Sequence, residues 1–153
     1  MTREDAWRLA RDARLAALQD APESLLPTDP HESTWNEDSW RRSFKTGLWV
    51  VARTDRMTVG LARLTEEAKG RPHVESVWTH PRHRRGRIAS RLIQRLLHEV
   101  HDHDVFVWVL DPNPAAIRLY ESLHFERTDV RQKLHPSGRV EEQLRLSAAL
   151  LPS

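Results

Sequence analysis

The spacing of apolar residues changes period several times along the chain and marks out its elements. From residue 3 to 20 the chain is rich in Ala, Leu and Arg, with Leu9, Ala13, Ala16 and Ala17 at helical spacing, which predicts a first helix ending near Asp20-Ala21-Pro22. Thr34 and Glu37 then read as a capping box for a second helix that stops before Gly47. Beyond Gly47 the pattern is that of strands: Leu48 to Arg53, a turn at 54–56, Thr58 to Thr65, and His73 to Thr79. The helical period returns at Arg87, with Ile88, Leu92, Ile93, Leu96, Leu97 and Val100 on one stripe. Val105 to Leu110 is a continuous apolar run, the pattern of a parallel strand covered on both faces, so strand, helix and strand form a right-handed βαβ unit. Asn113 as N-cap, with Pro114 at the first helical position, opens a short helix through Ser122. Arg127 to Leu134 and Arg139 to Leu146 close the pattern as a hairpin.

A chain of 153 residues without internal repeats is expected to form one domain spanning residues 1–153. Its 39% hydrophobic content and six Trp separate it from disordered sequences. No apolar run approaches the ~20 residues of a membrane span, and the charged N-terminus does not read as a signal peptide. The absence of cysteine removes disulfides, thiolate metal sites and a cysteine nucleophile, and fits a cytoplasmic location.

The formal net charge of +2 argues neither for nor against a nucleic-acid partner, but the charge is unevenly placed. From Asp20 to Trp40 there are six acidic residues and no Lys or Arg, whereas Arg82, Arg84, Arg85 and Arg87 crowd into six positions. The basic loop feeds the start of a helix, where unpaired N–H groups and the dipole favour anions, so it suits a polyphosphate. His98, His101 and His103, with Asp102 and Asp104, fall at a helix end without a spacing that closes a metal site, and no metal is expected.

Two motifs carry a family resemblance. Val77-Trp78-Thr79-His80-Pro81 leads into Arg84-Arg85-Gly86-Arg87-Ile88-Ala89 and Leu92; further on come Asn113, Ala116, Leu119, Tyr120, Leu123, His124 and Phe125. At this separation, flanking a βαβ unit, they resemble the GCN5-related N-acetyltransferases (GNAT). Arg87 stands at the family's middle glycine and His124 at the glycine of the second motif. The resemblance implies an α/β fold with a mixed, mostly antiparallel sheet of about six strands around a central βαβ unit. The family's first edge strand would be missing or shortened, leaving an edge at which a homodimer could pair.

The resemblance further implies acetyl-coenzyme A as donor, with direct transfer to an amine. Val77, Trp78 and Thr79 would offer backbone groups to the pantetheine and thioester. Arg84, Arg85, Gly86, Arg87, Ile88 and Ala89 would hold the pyrophosphate, Asn113 and Ala116 would border the pantetheine arm, and Tyr120 would face the sulfur. Asn113 also reads as a plain N-cap. Acetyl transfer to a protonated amine needs a base and then an acid for the thiolate. Tyr120, the only tyrosine, is the expected acid. For the base, His73 and Glu75 alternate onto the side of Val77 and Thr79; Glu75 is preferred, with His73 or water as alternatives.

The acidic segment favours a small cationic amine as acceptor. A protein N-terminus or lysine is the alternative within the class, and a non-catalytic coenzyme-A-binding or nucleic-acid-binding module the alternative outside it. Neither a membrane nor a nucleic-acid partner is expected.

Overall fold

The computed structural model describes residues 6–22, 25, 32–67 and 70–152. Among the described residues four α-helices, α1 (Ala6–Asp20), α2 (Glu37–Lys45), α3 (Ile88–Leu97) and α4 (Pro114–Ser122), flank a six-stranded sheet. Its strands are β1 (Leu48–Arg53), β2 (Thr58–Glu66), β3 (Pro72–Thr79), β4 (Val105–Leu110), β5 (Glu126–Lys133) and β6 (Val140–Leu146), in the order β1-β2-β3-β4-β6-β5. Every neighbouring pair is antiparallel except β3 and β4, which α3 connects as a parallel crossover. This is the mixed sheet expected from the sequence. A strand preceding α1 would fall on residues 1–5, which lie outside the described residues.

Two apolar clusters hold the layers together. On one face Leu92, Ile93, Leu96 and Leu97 of α3 pack with Val74, Val105, Val107, Val109, Leu144 and Phe125. On the other, Ala13 and Ala17 of α1 let the helix lie close to Leu61 and Trp78. The apolar run of β4 is therefore divided. Val105, Val107 and Val109 face the helices, while Phe106 and Trp108 are only partly covered on the opposite side. There Phe106 stacks on His73 at 6.0 Å, and Trp108 donates from Nε1 to Glu67 Oε1 at 2.9 Å.

The start of α2 differs from expectation. Glu32–Thr34 closes a short 3-10 turn, so the cap passes to Asn36, whose side chain accepts from Ser39 N–H at 2.9 Å. Gly47 ends the link to β1 at φ +87°, and a Cβ there would lie 2.4 Å from the Leu64 carbonyl oxygen. Position 47 thus requires glycine.

The alternation expected along β3 is broken. Leu61 pairs with Trp78 and Arg63 with Glu75, so Ser76 and Val77 together oppose Ala62 in a β-bulge, with Ser76 at φ +57°. Glu75 and Ser76 consequently share the face of α1 and α2, where they meet Arg63 and Arg14, while Val77 turns to the α3 face. Glu75 and Val77 do not project to the same side.

His124 occupies the left-handed region at φ +73° just past the end of α4. Its N–H reaches Glu121 O at 3.0 Å and that of Phe125 reaches Tyr120 O at 3.0 Å, a Schellman closure. Because the His124 side chain is exposed, His124→Gly removes the left-handed penalty without opening a cavity. It should stabilise the fold by about 1 kcal/mol, the penalty less glycine's greater unfolded-state freedom. Urea unfolding checks this: the midpoint rises at unchanged slope, and a lower midpoint would contradict the assignment.

Candidate active site

Strands β3 and β4 pair only at His73↔Phe106 and Val74↔Val107, and then part. Two cavities open into the gap. A groove of about 460 Å³ runs past Val77, Trp78, Thr79, Arg84, Arg85, Arg87, Ile88, Ala89, Asn113 and Ala116. A second cavity of about 330 Å³ carries Glu67, His73, Glu75, Trp108, Tyr120 and Glu141. Val77, Asn113 and Ala116 border both, so the cavities meet at the parting strands.

The groove is built for an anion at one end. Ile88, Ala89 and Ser90 form the first turn of α3, where backbone N–H groups have no helical acceptor, and the N-cap Arg87 supplies no side-chain cap. Arg85 and Arg87 take positive φ, 78° and 59°, curling the loop around the helix end. Gly86 lies between them off the groove wall, and a Cβ there would meet only ordinary contacts, His83 O at 3.6 Å and Ile88 Cγ1 at 3.9 Å. The glycine-like conformation belongs to Arg87, the position of the family glycine, and not to Gly86. Arg84 is held from two sides, donating to Thr79 O at 3.2 Å and to Asp20 Oδ2 at 2.7 Å. Asp20 also accepts from Trp78 Nε1 at 2.9 Å, so the end of α1 braces the groove.

Tyr120 rises from α4 into the second cavity, 4% exposed and edge-on to Phe125. Burial pushes its phenol well above the ordinary range, which keeps it a proton donor at neutral and alkaline pH. Asn113 caps α4, accepting from Ala116 N–H at 3.1 Å, while bordering both cavities. Glu75 is oriented by Arg63 Nη1 at 2.7 Å, and the same guanidinium donates to the Thr46 hydroxyl at 2.6 Å just beyond α2.

The acidic segment does not present its carboxylates as expected. Glu32 is 2% exposed and forms a 2.9 Å ion pair with Arg14, whose Nη1 donates to Ser76 Oγ at 3.1 Å. Asp20 is committed to Trp78 and Arg84, and Glu37 pairs with Arg41. Glu23 and Asp29 lie outside the described residues. The carboxylates around the cavity are instead Glu67, Glu75 and Glu141, two of them unrecognised in the sequence. Their signal is topological: only the strand order that sets β6 beside β4 brings Glu141 to the cavity. Among the described residues no cluster of His, Cys, Asp and Glu is arranged for a metal, and no helix is long and apolar enough to cross a membrane.

A sheet parted beside a basic helix start, with a buried phenol at the junction, is an arrangement suited to acyl transfer from a phosphate-bearing donor. The sequence profile of the acetyltransferase (GNAT) family matches residues 12–125, and the chain belongs to that family of acetyl-CoA-dependent acetyltransferases. No curated protein matches it in sequence. In fold it is similar to smu.2055 from Streptococcus mutans (19% identity, TM-score 0.72), with 97% of this chain and 96% of that one covered. It is also similar to a ribosomal-protein-alanine N-acetyltransferase from Brucella melitensis (22% identity, TM-score 0.68), with 96% of each chain covered. YncA from Salmonella typhimurium, solved with its cofactor acetyl-CoA, aligns at 17% identity and TM-score 0.68 over 97% of this chain and 91% of that one.

Removing Glu32 would take from the buried Arg14 guanidinium the carboxylate that lies 2.9 Å away. Glu32→Ala should cost about 3–5 kcal/mol, well beyond the loss of an exposed charge. Denaturant unfolding measures it; a loss below 1 kcal/mol would show that water reaches Arg14.

Proposed function

We propose that the enzyme transfers the acetyl group of acetyl-CoA directly to the primary amine of a small cationic molecule. The observation that carries this reading is the cavity of about 330 Å³ with Glu67, Glu75 and Glu141 on its wall, opening onto the donor groove at Val77, Asn113 and Ala116. Its size is at the low end for ligand pockets and suits a compact acceptor, and its carboxylates favour a positive one.

In this reading the N–H groups of Ile88, Ala89 and Ser90, with Arg84, Arg85 and Arg87 beside them, hold the donor's pyrophosphate. The backbone of Val77, Trp78 and Thr79, left without a β4 partner, is available to hydrogen-bond the pantetheine and the thioester carbonyl. Glu75 first takes a proton from the ammonium through water, and the free amine nitrogen attacks the thioester carbon. The C–S bond breaks as Tyr120 gives its phenolic proton to the departing thiolate, and the second proton shed by the nitrogen returns to the Tyr120 oxygen.

A thiol-release assay across small amines, an alanine-initiated peptide and a lysine peptide tests the acceptor class. A peptide with a higher kcat/KM than every small amine would move the assignment to protein acetylation. Tyr120→Phe keeps the ring against Phe125 and removes the proton, so kcat should fall about 10²-fold while acetyl-CoA affinity by calorimetry is retained. Unchanged kcat would take Tyr120 out of the reaction. Glu75→Gln should lower turnover most on the acid side, where deprotonation limits the rate, and an unaltered pH profile would exclude Glu75 as base.

A further inference from the structure

We propose that Asp20 is a positioning residue for donor binding: from the end of α1 its carboxylate holds Arg84 in the geometry that receives the donor's pyrophosphate, so that an acid beside an anion site strengthens anion binding. This rests on the groove holding that pyrophosphate.

On electrostatic grounds alone a carboxylate is out of place there. Asp20 is the last residue of α1, whose final turn carries no basic residue, and a helix C-terminus disfavours negative charge. It also adjoins Arg84, which lines a groove whose N–H groups and arginines favour anions, so its charge acts against an incoming phosphate.

What fixes Asp20 is the core. Trp78 is 5% exposed and packs with Ala13, Ala17 and Leu61, and a buried indole N–H needs an acceptor. Asp20 Oδ2 provides it at 2.9 Å, and the same oxygen accepts from Arg84 Nη2 at 2.7 Å. Arg84 Nε donates to Thr79 O at 3.2 Å, so the guanidinium is tied along one edge. Among the described residues nothing accepts from its Nη1, and the side chain is 53% exposed, which leaves the other N–H groups for a ligand. Order thus passes from the core through the indole and the carboxylate to the guanidinium.

Two effects of the acid oppose each other. Its charge repels the donor, but it is in direct contact with Arg84 and is partly exposed, so solvent and the guanidinium screen it. Against that, an arginine has a long flexible stem, and ordering it on ligand arrival subtracts from binding unless the protein has ordered it beforehand. The tie also keeps the cation at Thr79, on the groove wall. Ordering outweighs the screened repulsion, and removal of the charge shows which effect prevails by the sign of the change.

Coenzyme A is titrated calorimetrically into wild type, Asp20→Asn, Arg84→Gln and the double variant, with folding checked by melting. The Asn side chain keeps an acceptor for Trp78 and removes the charge that ties Arg84. Asp20→Asn should weaken coenzyme A binding by about three- to tenfold, the cost of ordering one long side chain, and should add nothing in the Arg84→Gln background. Arg84→Lys keeps the cation but cannot tie one edge and present the other, so it should also lose affinity, and it carries the test should Asp20→Asn fail to fold. Equal or tighter binding by Asp20→Asn overturns the proposal, and where Arg84→Gln still weakens binding the assignment of the groove stands. A loss just as large in the Arg84→Gln background makes Asp20 a support for Trp78 alone and overturns the proposal too, as does wild-type affinity in Arg84→Lys. If Arg84→Gln binds coenzyme A as wild type does, Arg84 does not hold the donor, and that part of the groove's assignment falls together with the proposal.

Discussion

The structure depends on the parting of β3 from β4. Parallel neighbours joined by a helix ordinarily continue their ladder, yet here pairing ends after Val74 and Val107. The bulge at Ser76 accompanies that parting: it puts an extra residue into β3 opposite Ala62, kinks the strand and demands a left-handed φ of 57° from a non-glycine residue. Strained backbone persists only where its surroundings hold it, and Ser76 is held by Arg14, itself paired with Glu32 inside the fold. A buried ion pair contributes little net stability against an apolar replacement. Its value here is geometric, since it anchors α1 and the turn at Glu32–Thr34 to the residue that opens the sheet.

Once the strands part, charge separates along the gap. The α3 end carries arginines and unpaired N–H groups, and the opposite end carries Glu67 and Glu141. A net charge of +2 conceals this polarity. Coulomb interactions at partly buried sites exceed those in bulk water, so a basic groove and an acidic cavity meeting at Val77, Asn113 and Ala116 set opposite potentials on the two sides of one point. Tyr120 lies near that meeting, where burial keeps its proton in place.

Much of this was legible in the sequence. The 3.6-residue stripe from Ile88 to Leu97, the run from Val105 to Leu110 and the Asn113-Pro114 start each appear close to where the period or cap places them, because local geometry and burial agree there. Most residues that the two motifs singled out line one groove or the cavity that meets it, with Gly86 off the wall. What was not legible arises from register and from long-range pairing. A bulge shifts every later residue of β3 to the other face and leaves no trace in a two-residue period, so the relation of Glu75 to Val77 was misread. The acidic segment was read as facing a cationic acceptor, but Glu32 folds inward to an arginine eighteen positions away. Glu67 and Glu141 converge only through a strand order in which β6 inserts between β4 and β5.

The two departures from the family's glycines show what a motif glycine specifies. At Arg87 and His124 the chain adopts the left-handed backbone that glycine reaches without strain, at φ 59° and 73°. For a residue with a Cβ that conformation costs roughly 1–2 kcal/mol, a tolerable loss for a domain stabilised by about 5–15 kcal/mol. The motif is therefore conserved in conformation where it is lost in composition. The two positions differ in what the side chain adds. His124 is exposed beyond the end of α4, and its backbone alone closes the helix. Arg87 lines the groove at the start of α3, where a glycine would offer only backbone, so its strain is accompanied by a cation beside the unpaired N–H groups of the helix.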